Sequence, residues 1–194
     1  AGNTLSKKAH EFTTLSTVYE ISKSCIEKQI SGTKLNTQVL PAPADVALYK
    51  DTVIQFWTDF LKINAYEQSI FDREETGDVK RREIRDSHLL CKPIIMRSVA
   101  EAFFQNDSLE EASHRMTLDT FVQRINDMDF SPGNTIWNKV LLNEKKVITG
   151  PTAMNIASRF IAYLVGVKFE DEQNNRLWEQ LDGIGYTDRP DKQF

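Results

Sequence analysis

Basic side chains on one predicted helix have the clearest chemical potential in this sequence. The stretch 79–104 is predicted to be helical, and its positions 81, 85, 88 and 92 recur at spacings of four, three and four. The basic arc consists of Arg81, Arg82, Arg85, His88 and Lys92, followed on the same helix by Arg97. Such a face suits contact with the phosphate backbone of duplex DNA. The alternative is a solvated face paired with nearby carboxylates, including those of the acidic loop 72–78.

Signatures of catalysis and metal binding are weak. None of His10, His88 and His114 has a second ligand at a spacing that repeats elsewhere. Cys25 and Cys91 lie far apart, form no CxxC pair and are expected to be reduced thiols in the core. The sequence contains no glycine-rich phosphate loop. It therefore predicts no catalytic residue, no metal site and no cofactor.

The best carboxylate pair is Asp127 with Asp129. Because Asp129 precedes Ser131-Pro132, a typical helix start with Ser as the cap, a turn or capping role is predicted for it. The short helix that follows is expected to direct Trp137 into the core.

Composition indicates an ordinary globular protein. The 194 residues are 40% hydrophobic and 27% charged, with a formal net charge of −4. This acidic balance argues against a nucleic-acid binder that uses its whole surface, but it leaves room for a local basic patch. No apolar run approaches 18 residues, so no membrane helix is predicted. With no disulfide framework either, a cytoplasmic location is expected.

Periodicity predicts an all-α fold, an irregular helical bundle of six or seven helices with room for one small β-hairpin near 139–149. The main helices are predicted over 12–30, 44–64, 79–104, 117–126, 151–165 and 170–181. Residues 1–182 are expected to form one domain, and residues 183–194 a loose tail. The chain opens without Met, and we expect a C-terminal fragment of a longer protein.

Two features of these helices give sharper expectations. Pro93 lies inside the stretch 79–104, the longest predicted helix, and should kink or break it near residues 89–92. The helix 44–64 has a continuous apolar stripe, which predicts core packing along its whole length. That stripe consists of Val46, Tyr49, Val53, Phe56, Phe60 and Ile63. Trp57 beside it and Trp137 are both expected to be buried, whereas residues 66–78 read as a mobile charged loop.

Three stretches carry a family resemblance. They are NTLSKKAHEFTTLSTVYEIS (3–22), FWTDFL (56–61) with HLLCKPIIMRSVAEAF (88–103), and MDFSPGNTIWNKVLL through GPTAMNIASRFIAYLVG (128–166). Together they resemble the C-terminal part of the DGQHR-domain family, which includes the DndB regulators of DNA sulfur modification. Phe130 stands where the family often has Trp, and Pro132 where it often has Arg. The DGQHR motif itself is absent, as expected for a fragment that lacks the N-terminal half.

The resemblance implies a DNA-binding regulator of phosphorothioate modification in bacterial defence, with this part contributing to DNA binding or partner docking. The implied partners are duplex DNA and other DNA-modification proteins, with a homo-oligomer as an option and no membrane. One alternative is a helical protein–protein interaction or dimerisation module that makes no nucleic-acid contact. Another is an enzyme domain whose site is completed by the N-terminal half, where any activity of the family would be expected.

Overall fold

The computed structural model describes residues 11–32, 34–36, 38–71, 77–107, 109, 112–144 and 146–190. Within them lie eight α-helices and one antiparallel hairpin of two strands. The helices are α1 (Leu15–Ile26), α2 (Pro43–Phe60), α3 (Asn64–Phe71), α4 (Gly77–Ser87), α5 (Pro93–Asp107), α6 (Leu118–Asp127), α7 (Pro151–Leu164) and α8 (Asp171–Gly183). The strands are β1 (Leu142–Asn143) and β2 (Lys146–Val147). With 66% of the structure helical, the predicted all-α bundle with one small hairpin is confirmed.

Helix α5 lies at the centre of the core and packs mainly against α7 and α1. Buried apolar residues occur around most of its circumference, as Val99, Ala100 and Phe104 illustrate. A helix that is apolar on several sides can contact several neighbours at once, which explains its central position. Cys25 and Cys91 are both buried in this core, as predicted, and they form no disulfide.

The helix boundaries follow local chemistry. Thr14 caps α1, because its Oγ1 accepts a hydrogen bond of 3.1 Å from the Thr17 amide. Thr117 caps α6 in the same way. A π-helical turn follows α1 and ends at Gly32, whose φ of 60° lies in the left-handed region that favours glycine. Pro151 occupies the first turn of α7, where its missing N–H costs nothing.

The predicted break at Pro93 is confirmed, and it divides the stretch 79–104 into two separate helices. Helix α4 ends at Ser87, a short 3₁₀ turn covers Leu89–Cys91, and α5 begins at Pro93. Lys92 is extended, as expected for a residue that precedes proline. The stretch is therefore not the longest helix: within the described residues that is α2, with 18 residues.

The structure corrects the expectation of a loop over residues 66–78. Helix α3 covers much of it, and Tyr66 at its start is fully buried. The Tyr66 hydroxyl donates to the Leu90 carbonyl at 3.2 Å, while burial and the neighbouring Cys91 thiol raise the pKa of this phenol well above its usual value. Residues 72–76 lie outside the described residues. Helix α3 and the division of the stretch 79–104 into α4 and α5 each add one helix. The described residues therefore contain eight α-helices, whereas six or seven were predicted.

Only the C-terminal half of α2 belongs to the core. Phe56 and Phe60 are buried, and their rings stack with centroids 5.1 Å apart. By contrast, Val46 at the N-terminal end of the stripe is 48% exposed, and Tyr49 is only half-buried. The prediction that the whole stripe packs in the core is therefore wrong for the N-terminal half. Periodicity shows that a helix has an apolar face but not whether another element covers it.

Two predictions near the C-terminal half also need correction. Ser131 does not cap a helix: Asn134 caps a short 3₁₀ turn over Thr135–Trp137, which delivers Trp137 to the core as expected. The tail is not loose at its start, because Tyr186 is buried with its ring edge-on to Phe160 at 5.3 Å. Burial, with a smaller effect of a nearby carboxylate, raises the pKa of Tyr186 to about 12. Residues 191–194 lie outside the described residues.

Candidate functional sites

Arg85, the middle of the predicted basic arc, is a core residue. It is only 6% exposed, and its guanidinium donates to the Glu11 carbonyl at 3.2 Å. The side chain thereby ties α4 to the segment that leads into α1. Both interpretations of the basic arc, as a phosphate-contact surface or as a solvated face, require exposed side chains, and that expectation is wrong at Arg85.

Lys92 and Arg97 also make contacts within the molecule. The Lys92 ammonium donates to the Arg85 carbonyl at 2.8 Å and lies 3.9 Å from the Asp86 carboxylate. The Arg97 guanidinium lies 3.8 Å from Glu20 of α1. Hydrogen bonds of a cation to helix-end carbonyls stabilise the fold but leave fewer donors for an external phosphate.

The remaining members of the basic arc, Arg81, Arg82 and His88, lie in different local environments. Arg81 and Arg82 are half-buried on α4, and neither is free of interactions. His88 has left the helix: its Nδ1 accepts from the Leu90 amide at 3.4 Å, and its ring stacks on Phe130 with centroids 6.5 Å apart. Desolvation lowers the pKa of His88, although the Asp129 carboxylate opposes this shift. The arc is thus not one continuous cationic face.

Asp129 performs the turn role predicted for it. Its Oδ1 accepts from the Ser131 amide at 2.8 Å, and its carbonyl accepts from the indole Nε1 of Trp137 at 2.7 Å. Trp137 is fully buried and stacks on Phe130, with ring centroids 4.5 Å apart. The segment 129–137 therefore forms a hydrogen-bonded turn that fixes Trp137 in the core. The contacts of Asp129 are those of a structural residue rather than of a catalytic carboxylate.

The first candidate site is an apolar groove along the C-terminal half of α2, where Val53 and Trp57 were predicted to pack in the core. It has a volume of about 460 Å³. The α2 groove is lined by Val53, Ile54, Trp57, Thr58, Leu61, Lys62 and Glu67. Trp57 is only half-buried here, which corrects its predicted burial, and its Nε1 donates to Ser22 Oγ at 2.9 Å. That hydrogen bond holds the indole against α1 and leaves one face of its ring towards the groove.

The second candidate site is a polar cleft lined by residues of α1's π-helical extension, α5, α7 and the segments around them. Its volume is about 780 Å³, within the range of small-molecule sites. The polar cleft is lined by Lys28, Glu101, Gln105, Leu109, His114, Asn155, Arg159, Lys168, Phe169, Glu170 and Gln173. These residues come from separate segments of the chain, so no local spacing in the sequence could have indicated them.

In the described parts of the chain, no cluster of side chains is arranged to bind a metal ion or to activate a thiol. No group of three or more His, Cys, Asp or Glu residues is placed there to hold a metal ion. The Cys91 thiol is buried and points to the Ala65 carbonyl, with Sγ and O 3.9 Å apart. No helix among the described residues has the length and apolar character needed to cross a membrane.

Comparison with known proteins returns no relative. No protein-family model matches this sequence, and neither a curated protein nor a solved structure is significantly similar to it. Functional inference therefore depends on the residues themselves and on the geometry of the two candidate sites.

Proposed function

We propose that this chain is a cytoplasmic, helical docking domain of a DndB-like regulator of DNA phosphorothioate modification. The assignment to the DGQHR-domain family rests on the three stretches that resemble it. The docking role rests on a different observation, the apolar groove of α2. In this proposal the domain binds another protein of the modification system and contributes no catalytic residue.

Contacts between the family-like stretches support their treatment as one unit. The Leu89 amide in the second stretch donates to the Phe130 carbonyl in the third, at 3.1 Å. Arg85, just before the second stretch, donates to Glu11 in the first. Stretches that are distant in sequence therefore meet in one region of the fold, as expected for elements that belong to the same domain.

The α2 groove is the observation that carries the docking role. Ile54, which lines the groove, is 53% exposed, and Val46, about two turns earlier on the same helix, is 48% exposed. Exposed apolar side chains that line a groove mark surfaces for other proteins rather than for solvent. An amphipathic helix fits such a groove through apolar anchors at helical spacing. The partner segment expected here is therefore an apolar helix.

Charges at the rim of the groove restrict the partner further. The Lys62 ammonium lies 2.7 Å from Asp59 and 3.4 Å from Asp119, and this contact lowers the pKa of the Asp59 carboxyl. Lys62 is thus already compensated, whereas Glu67 is exposed on the same rim. A basic residue at one end of the docking helix would complement Glu67.

Substitution of Ile54 by Lys is expected to weaken partner binding without unfolding the domain. The side chain is exposed, so the free energy of unfolding should change by less than about 0.5 kcal/mol. A charge at the centre of an apolar interface should lower affinity by at least about tenfold. The measurement is titration calorimetry with purified phosphorothioation proteins, together with hydrogen exchange over α2.

Leu48→Lys is the matched control for this experiment. Leu48 is 50% exposed on the same helix but does not line the groove. Binding that is equally weak in both variants, or equally strong, would contradict the groove as the docking surface. Sedimentation of the chain alone tests whether a second copy of this chain occupies the groove instead. Self-association that Ile54→Lys abolishes would identify the groove as a homodimer interface and contradict a heterologous partner.

Direct DNA contact is a second candidate function, favoured by the adjacent Arg81 and Arg82 on α4. If both contact phosphates, their reversal to Glu should weaken duplex binding about equally for all sequences. The slope of log affinity against log salt should become shallower by roughly 0.9 for each lost contact. The measurement is fluorescence anisotropy with a labelled duplex at several salt concentrations.

The control for the DNA experiment combines Lys50→Glu with Arg176→Glu, two exposed positions outside the arc with the same change in charge. Arg85 is left unchanged because it is buried. Equal loss of affinity in the control pair would show a general charge effect, and unchanged affinity in the Arg81 and Arg82 variant would exclude α4 as a phosphate contact.

A further inference from the structure

The polar cleft combines three basic side chains that belong to different segments. Lys28 lies on the π-helical turn after α1, Arg159 on α7, and Lys168 between α7 and α8. Within the described residues neither Lys28 nor Lys168 has an ion-pair partner, and the Arg159 guanidinium has only a long contact of 3.4 Å to Gln180. Like charges brought together without partners repel each other, which an anion between them would relieve.

The acidic residues of the cleft do not cancel this charge. Among the described residues that line the cleft, two are carboxylates, Glu101 and Glu170, against the three basic residues. The Glu170 side chain accepts from the backbone N–H of Gln173, and the Gln173 side chain accepts from the Glu170 amide. This capping box occupies both side chains in stabilising the start of α8. The described lining residues therefore carry a net charge of +1, three basic side chains against two carboxylates, with His neutral.

Uncharged residues of the cleft add two further properties. The side-chain amide of Asn155, one turn before Arg159 on α7, has no hydrogen-bond partner within the described part of the chain, and the residue is exposed and lines the cleft. Phe169 and Leu109, both half-buried, supply an apolar wall. A ligand with a flat apolar part could pack on this wall while its anionic group reaches the cations.

We propose that the polar cleft binds a small organic anion, with a phosphate or carboxylate group held by Arg159 and Lys168 and a planar apolar part against Phe169. Arg159 offers a fork of N–H donors that matches two oxygens of such a group. Among the described residues, none lines both this cleft and the α2 groove, so the proposal does not depend on the docking role.

Titration calorimetry with three simple probes tests the proposal: phenyl phosphate, inorganic phosphate and benzyl alcohol. Phenyl phosphate should bind at least about tenfold more tightly than inorganic phosphate or benzyl alcohol, because of the three probes only phenyl phosphate contacts both the cations and the apolar wall. Arg159→Gln and Lys168→Gln should each lower its affinity by about tenfold. Benzoate in place of phenyl phosphate distinguishes a carboxylate ligand from a phosphate ligand.

Lys146→Gln is the matched control, since Lys146 is an exposed cation on β2 outside the cleft. Lys168 is exposed, so its substitution leaves the fold intact even if Arg159→Gln lowers stability. Three results would overturn the proposal. These are no saturable binding of phenyl phosphate up to about 10 mM, equal affinity for phenyl and inorganic phosphate, or an equal loss in Lys146→Gln and Lys168→Gln.

Discussion

Trp137→Ala is expected to destabilise the domain by about 3–5 kcal/mol, the usual cost of removing a fully buried large aromatic side chain. The indole is completely buried and stacks on Phe130 at 4.5 Å, with Phe160 edge-on at 6.2 Å. Its Nε1 also donates to the Asp129 carbonyl, which would lose this bond and keep only the one from the Asn134 side chain at 2.9 Å. Urea denaturation followed by far-ultraviolet circular dichroism measures the change in the free energy of unfolding.

Trp57→Ala provides the comparison within the same chain. Trp57 is half-buried, so its removal should cost clearly less, about 1–2 kcal/mol. Trp137→Phe should lie between wild type and Trp137→Ala, because it keeps the stacking and loses the hydrogen bond. Equal losses for Trp57→Ala and Trp137→Ala would contradict the different burial of the two side chains.

Arg85→Glu is expected to destabilise the domain by about 3–5 kcal/mol, although the residue belongs to a run of charged residues that reads as a surface face. The position is 6% exposed, so a carboxylate placed there would be desolvated. It would also face the Glu11 carbonyl, an acceptor to which it could donate nothing. Thermal and urea unfolding of the single variant measure this loss.

Two variants separate burial from hydrogen bonding at position 85. Arg85→Met keeps much of the packing volume and loses the bond to Glu11, so it should cost about 1–3 kcal/mol. Glu83→Lys reverses a charge at an exposed position on the same helix and should change stability by less than about 0.5 kcal/mol. A loss for Arg85→Glu no larger than that for Glu83→Lys would show that Arg85 is solvated.

The difference between Arg85 and Val46 illustrates what sequence patterns leave open. Arg85, a basic residue among charged neighbours, proved to be buried, and Val46, an apolar residue within a regular stripe, proved to be exposed. Periodicity identifies which residues share a helix face. It carries no information on which face another element covers, because that depends on contacts between distant segments.

The sequence by itself determined the helical class, most of the helix boundaries, the break before Pro93, the hairpin near 142–147 and the burial of Trp137. These features follow from local causes, namely apolar spacing, capping residues, and the backbone restrictions of proline and glycine. Only the tertiary structure decided that Arg85 is buried, that α2 is half uncovered, and that Lys28, Arg159 and Lys168 line one cleft. Each of these depends on how helices far apart in sequence pack together, and no local pattern encodes that packing.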